Sequence, residues 1–98
     1  MTLPVLWTAT AVEHLEAIVD YVGAVSPVYA VRLADQFFAH VDRIAAYPES
    51  GRRVPEAADP MIREVFAGPY RPMYLVQPTR VDILAIVHGR QQVTWPAE

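Results

Sequence analysis

Ser26-Pro27 is the pair that most limits what this chain can become. Serine is a favoured helix N-cap and proline a favoured first helical residue, so together they start a helix and stop one from running through. Apolar residues stand at helical spacing on both sides of the pair. Before it come Leu15, Ile18, Val19, Val22 and Val25, with Glu13, Glu16 and Asp20 on the opposite side. After it come Ala30, Leu33, Ala34, Phe37, Val41 and Ile44, flanked by Tyr29, Phe38 and Tyr47. The first helix is expected to start at a Thr8 or Thr10 cap, since Thr10 and Glu13 have capping-box spacing. It ends near Val25, and Pro48 ends the second. With almost no loop between them, the helices must lie antiparallel. Their shared apolar face requires a sheet to cover it.

Residues 62–90 supply that sheet. Three short apolar runs, 62–66, 73–76 and 81–87, are separated by Gly68-Pro69 and by Pro78-Thr79, both turn-forming pairs. The stretch reads as an antiparallel meander. Strict alternation puts Val81, Ile83, Ala85 and Val87 on one face of the last run, and Leu84 and Ile86 on the other with Asp82 and His88. Apolar residues on both faces mark a central strand. A further short run at 3–7 adds a strand ahead of the helices. Pro72 lacks a ladder amide and implies a bulge or an edge. Residues 49–60 hold two prolines and a glycine and read as irregular. Residues 91–98 read as a tail. The expected class is α+β, ordered β-α-α-β-β-β, a helical hairpin on a small antiparallel sheet in one domain over residues 1–98. Leu15, Ile18, Val22, Leu33, Phe37, Val41, Ile44, Val65, Tyr74, Ile83 and Ala85 are the expected core.

An apolar content of 53% is high for 98 residues, so an exposed apolar patch and a protein partner are expected. No uncharged run approaches the ~20 residues of a membrane helix. The opening apolar stretch has no basic residue ahead of it and makes a poor signal peptide. A cytoplasmic protein with no membrane partner is expected. The absence of cysteine removes disulfides and thiolate metal sites. A net charge of −3 argues against a general nucleic-acid binder.

No glycine-rich phosphate loop or paired-histidine zinc motif occurs, and His14, His40 and His88 lack ligand spacing. No metal and no cofactor are expected. The arginines are more informative. Arg63 and Arg71 flank the first turn of the meander, Arg80 and Arg90 bracket its last strand, and Arg52 and Arg53 adjoin in the irregular segment. Antiparallel pairing brings Arg71 and His88 to one end of the sheet, with Arg90 two residues on. Two guanidiniums and an imidazole gathered there would hold a phosphodiester and exchange a proton. The structural alternative pairs Arg63 with Glu64 or Glu56 and Arg71 with a helix acid, leaving His88 to close a strand.

Several patterns in order resemble one family. Ala11, His14, Leu15, Ile18 and Tyr21 look like its first helix, and Ser26-Pro27 with Ala30 like the start of its second. Ile44, Pro48 and Gly51-Arg52 match its helix exit. Ile62-Arg63-Glu64, Tyr70-Arg71 with Tyr74, and Val81 to Arg90 around Ile83-Leu84 and Val87-His88 match its sheet. The family is the RelE/ParE superfamily of bacterial toxins, whose RelE-like members cut messenger RNA in the ribosomal A site and whose ParE-like members poison DNA gyrase. The resemblance aligns Arg71 and Arg90 with arginines that act in the RNA cleavers, and His88 with a catalytic histidine of one branch. This chain departs from the cleavers. Ile62 and Glu64 stand where many have lysines, and Thr94, Trp95 and Pro96 where a catalytic tyrosine is expected. An acidic chain also suits ribosomal RNA badly.

The resemblance therefore implies a ParE-like toxin that inhibits DNA gyrase by binding and is neutralised by a cognate antitoxin. The alternatives are a metal-independent, ribosome-dependent mRNA endoribonuclease, with Arg71, His88 and Arg90 catalytic, and a degenerate member that keeps only antitoxin binding. Target-binding candidates are Arg52, Arg53, Arg63, Arg71, Arg90 and Trp95. The antitoxin's C-terminal arm is expected to bring basic residues beside Glu13, Glu16 and Asp20. Operator DNA would be reached only through the antitoxin.

Overall fold

Ser26 serves two helices at once. Its amide donates to Val22 O at 2.8 Å and closes α1 (Ala9–Val25), while its Oγ accepts from the Tyr29 amide at 3.2 Å and opens α2 (Pro27–Ala46). The helices are thus joined through a single residue and fold back as a hairpin, as the sequence required. The computed structural model describes residues 2–89 and 91.

The N-cap of α1 is Thr8, and the capping box expected at Thr10 is not used. Thr8 Oγ1 accepts from the Ala11 amide at 3.1 Å and lies within donating distance of Ile83 O (2.8 Å) and Leu84 O (3.1 Å). Thr8 wins because its hydroxyl also ties the helix start to the sheet, while Thr10 is already the second helical residue.

Among the described residues five strands form one sheet: β1 (Val5–Trp7), β2 (Arg52–Arg53), β3 (Ile62–Glu64), β4 (Tyr70–Val76) and β5 (Val81–His88), in the order β1-β5-β4-β3-β2. The meander β3-β4-β5 is antiparallel as expected. The sheet as a whole is mixed, because β1 runs parallel to β5. After the helical hairpin the chain re-enters at the far edge, and its last strand arrives beside the first pointing the same way. The extra strand β2 comes from the segment expected to be irregular. It pairs Arg52 with Glu64 and Arg53 with Arg63 at the edge.

The alternation expected along β5 is interrupted. Met73 pairs with Ala85 and Tyr74 with Ile83, so Leu84 is an extra residue in a β-bulge. The bulge exchanges the faces. Val81 and Ile83 pack under the helices with Ala11, Val41, Ile44 and Tyr74. Ala85 and Val87 instead pack on the reverse face with Val54 and Met73. Ile86 returns to the helix face beside Phe37 and Leu33. Pro72 lies next to this irregularity, as its missing amide implied. Val65 donates to Pro72 O at 3.1 Å, proline returns nothing, and β3 ends at Glu64.

Val22, Leu33, Phe37, Val41, Ile44, Tyr74, Ile83 and Ala85 are buried as expected. Leu15, Ile18 and Val65 are only half-buried. The two helix residues lie on α1 where it runs along the margin of the sheet. Among the described residues no strand flanks β5 beyond Trp7, and the edge amide of Ile86 donates to His14 Nδ1 at 3.1 Å.

Candidate functional site

The sheet face turned away from the helices carries a four-residue ion network. Glu64 faces Arg52 across the β2–β3 pair and Met73 across the β3–β4 pair. Arg71, two residues from Met73, projects from the same face. Glu64 is fully buried. Its Oε2 accepts from Arg52 Nε at 2.6 Å and its Oε1 from Arg71 Nε at 2.8 Å. Glu56, from the loop after β2, completes the set: Arg71 Nη1 and Nη2 donate to its two oxygens at 3.1 and 2.9 Å. Two guanidiniums thus meet two carboxylates. Arg71 is only 5% exposed, and its donors are directed at those acids and, at 3.4 Å, at Gln91 O.

The protonation equilibria follow the geometry. Hydrogen bonds from Arg71 hold the Glu56 carboxyl below the ordinary carboxylate range. The hydrogen bonds to Glu56 and then Glu64 raise the Arg71 guanidinium against the opposing effect of burial. Such a network commits Arg71 and both carboxylates and can hold the 54–60 loop on the sheet, while Arg52, bonded through Nε alone among the described residues, keeps its terminal nitrogens toward solvent.

Arg63 lies on the other face and is a bracing residue. Its Nη1 donates to Gly51 O at 2.8 Å and its Nη2 reaches Glu49 at 3.4 Å, where pairing with Glu64 or Glu56 had been the structural expectation. Beside it the fully buried Tyr74 accepts the Gly51 amide at 2.9 Å and donates to Pro48 O at 2.8 Å. Burial pushes the Tyr74 hydroxyl pKa up. A Cβ at Gly51 would collide with the Tyr74 hydroxyl and with Glu64 O, so only glycine allows the turn Pro48–Ser50 to approach the sheet this closely.

Arg71 and His88 do reach the same end of the sheet, but not the same side. Arg71 pairs with Val87 and shares its face, whereas His88 pairs with Tyr70, whose ring it meets edge-on at 5.9 Å between centroids. Tyr70 in turn meets Phe37 on the helix side. The expected gathering of guanidinium and imidazole is therefore split by the sheet. Arg90 and Trp95 lie outside the described residues.

The remaining candidates are on the surface. Arg53 is exposed and has no ion pair among the described residues. Arg52 is half-exposed and stacks over the Phe66 ring at 4.9 Å. Glu13, Glu16 and Asp20 are exposed along one side of α1. Near them, at the hairpin turn, Tyr21 (76%), Val25 (85%) and Val28 (65%) are open to solvent. The apolar surplus thus does surface, on the hairpin. Sequence reasoning missed Glu56 and Glu64 as partners of Arg71. The one signal was an acid inside an apolar strand run; the register joining it to Arg52 and Arg71 comes from contacts distant in sequence.

A family model described as the ParE toxin of the type II toxin-antitoxin system parDE matches residues 5–93. Over 86 residues the chain is 40% identical to Toxin RelE2 of Caulobacter vibrioides, covering 87% of this chain and 93% of that protein. Over 92 residues it is 32% identical to the protein Y4kP of Sinorhizobium fredii, covering 92% and 90%. Among solved structures it superposes on a chain of the chromosomal ParDE system from P. aeruginosa with a TM-score of 0.73 at 21% identity, covering 89% and 96%. It superposes on a chain of the RelBE2 toxin-antitoxin complex from Mycobacterium tuberculosis with a TM-score of 0.63 at 20% identity, covering 90% and 99%. At those identities the structural likeness concerns the fold.

Proposed function

The chain belongs to the ParE toxin family of type II toxin–antitoxin systems, within the RelE/ParE superfamily, and on that premise we propose that it acts by binding, as an inhibitor of DNA gyrase. Its cognate antitoxin holds it inactive. The supporting observation is the state of Arg71. An RNA cleaver needs cationic donors free to meet phosphate charge as it develops. Here Arg71 is buried and committed to Glu56 and Glu64, and His88 stands across the sheet from it. Among the described residues, the cationic candidates left at the surface are Arg52 and Arg53, which suit contact with a protein target. Gyrase and antitoxin both act in the cytoplasm, and operator DNA is reached through the antitoxin.

The alternative, ribosome-dependent cleavage of messenger RNA, draws on the name of the Caulobacter relative, RelE2. One experiment separates the two. The chain is expressed without antitoxin, and extracts are assayed for gyrase supercoiling and for ribosome-dependent mRNA cleavage. Loss of supercoiling with intact mRNA is expected. Ribosome-dependent cleavage by the wild-type chain would reverse the assignment.

A further inference from the structure

Between the second half of α2 and the paired edge of β2 and β3 lies a cleft of about 330 Å3. Its polar lining comes from His40, Arg43, Arg52 and the buried Glu64, and its apolar lining includes Ile44, Val65 and Phe66. We propose that this cleft receives an acidic segment of a protein partner, with a carboxylate set against Arg43 and Arg52 and an apolar side chain against Phe66.

Three observations carry this. First, Glu64, the one acid among the cleft's lining residues, has both oxygens taken by Arg52 and Arg71, so it has no acceptor left for Arg43 and leaves that cation unopposed within the cleft. Second, Arg43 and Arg52 have capacity left. Arg52 spends its Nε on Glu64 and its planar face on Phe66, and among the described residues neither of its terminal nitrogens has a hydrogen bond. Arg43 is exposed in the last turn of α2 and has no ion pair among the described residues. A guanidinium pinned at one nitrogen and stacked on a ring is pre-oriented for a carboxylate, because little rotamer freedom remains to be lost. Third, Phe66 is 50% exposed beside these donors, which gives the occupant an apolar contact as well as a charge.

The same features disfavour nucleic acid. The exposed acids Asp42 and Glu49 adjoin the cleft's residues in sequence, and the chain is negative overall. A run of phosphates would meet repulsion on leaving the cleft, whereas a peptide segment whose single carboxylate sits at Arg43 and Arg52 would not. The cleft is also distinct from the acidic face of α1, so a partner of opposite charge pattern is implied at each.

The test uses the full chain and fluorescence anisotropy of a labelled, end-blocked peptide with one central glutamate among leucine and serine residues. A matched peptide with glutamine in place of that glutamate and a single-stranded oligonucleotide are the comparison probes. Arg43→Glu and Phe66→Ser alter the cleft, and Arg32→Glu reverses an exposed charge about three turns earlier on α2. Arg52 is left unchanged because it also holds Glu64, and circular dichroism checks that each variant is folded. The acidic peptide is expected to bind, to lose about tenfold or more in affinity with either cleft variant, and to be unaffected by Arg32→Glu. The inference is overturned if the glutamine peptide binds as well, if Arg32→Glu weakens binding as much as Arg43→Glu, or if the oligonucleotide binds more tightly at the same residues. Gyrase inhibition is read separately, so either conclusion can fail without the other.

Discussion

Arg71 and Glu56 form a two-pronged ion pair, with Nη1 and Nη2 of one on the two carboxylate oxygens of the other at 3.1 and 2.9 Å. One partner lies in β4 and the other in the loop after β2, so the pair fixes how that loop lies against the sheet. The remaining side of Arg71 is taken by Glu64. An arginine that resembles a catalytic group by sequence position is, in this chain, a structural clamp.

Arg71→Ala should therefore unfold the protein more readily. It leaves Glu64 buried with only Arg52 as partner, and breaking a buried pair from one side costs about 3–5 kcal/mol. Chemical denaturation of the two proteins measures the difference. Replacing both partners, as Arg71→Met with Glu64→Leu, should cost less than Arg71→Ala alone, since no uncompensated charge is left behind. A loss below about 1 kcal/mol for Arg71→Ala would mean that the network contributes nothing net.

The same clamp makes stability depend on acid. The Glu56 carboxyl titrates below its ordinary range in the folded chain, so unfolding takes up a proton in the window between the two values. Its contribution is complete above the ordinary carboxylate range and is lost as the pH falls through the folded value. Urea midpoints measured from about pH 6 down to about pH 3 should fall more steeply for wild type than for Glu56→Gln. Equal slopes would place the acid sensitivity elsewhere.

Tyr74 and Gly51 should be intolerant for a different reason. Tyr74→Phe removes the acceptor of a buried amide and the donor to Pro48 O, with an expected cost of about 1–3 kcal/mol. Gly51→Ala adds a methyl where the Tyr74 hydroxyl and Glu64 O already sit, and should cost at least as much. Thermal melts of both variants check this. If Gly51→Ala were neutral, the turn after α2 would have to relax outward, and the Tyr74–Gly51 hydrogen bond would be absent from its spectrum of slow-exchanging amides.

The helical half of the fold was legible because its signals are local. Ser26, Pro27 and a stripe at helical spacing act within a few residues of one another, and the boundaries at Val25 and Ala46 follow from them. The sheet was legible as a meander for the same reason. What the sequence did not disclose depends on residues far apart. The Leu84 bulge sends Ala85 to the face opposite Ile83, although strict alternation puts them together. The strand Arg52–Arg53 exists only because β3 offers it an edge. At the candidate site the arginines stand out in the sequence by number and placement. Their partners Glu56 and Glu64, which decide whether those charges are free, belong to the long-range register.

The antitoxin contact gives the last prediction. The outward side of α1 carries Glu13, Glu16 and Asp20, and Tyr21, Val25 and Val28 continue from it around the hairpin turn, all exposed. A segment that covers this surface needs basic residues along the helix and apolar ones at the turn. An arm that is disordered until it binds and then lies along the hairpin meets both needs. The complex should bury well over ~1,000 Å2, since ordering such an arm must be offset by apolar contact. Two variant sets separate the contributions. Replacing Tyr21 and Val25 together by serine should weaken antitoxin binding with its salt dependence unchanged. Reversing Glu13, Glu16 and Asp20 to lysine should weaken it and also remove most of its salt dependence, because exposed charge pairs are screened while apolar contacts are not. Isothermal titration of the purified antitoxin at two salt concentrations reads both effects. If the charge-reversed chain binds like wild type at both, the arm lies elsewhere on the toxin and the acidic face of α1 is simply solvated.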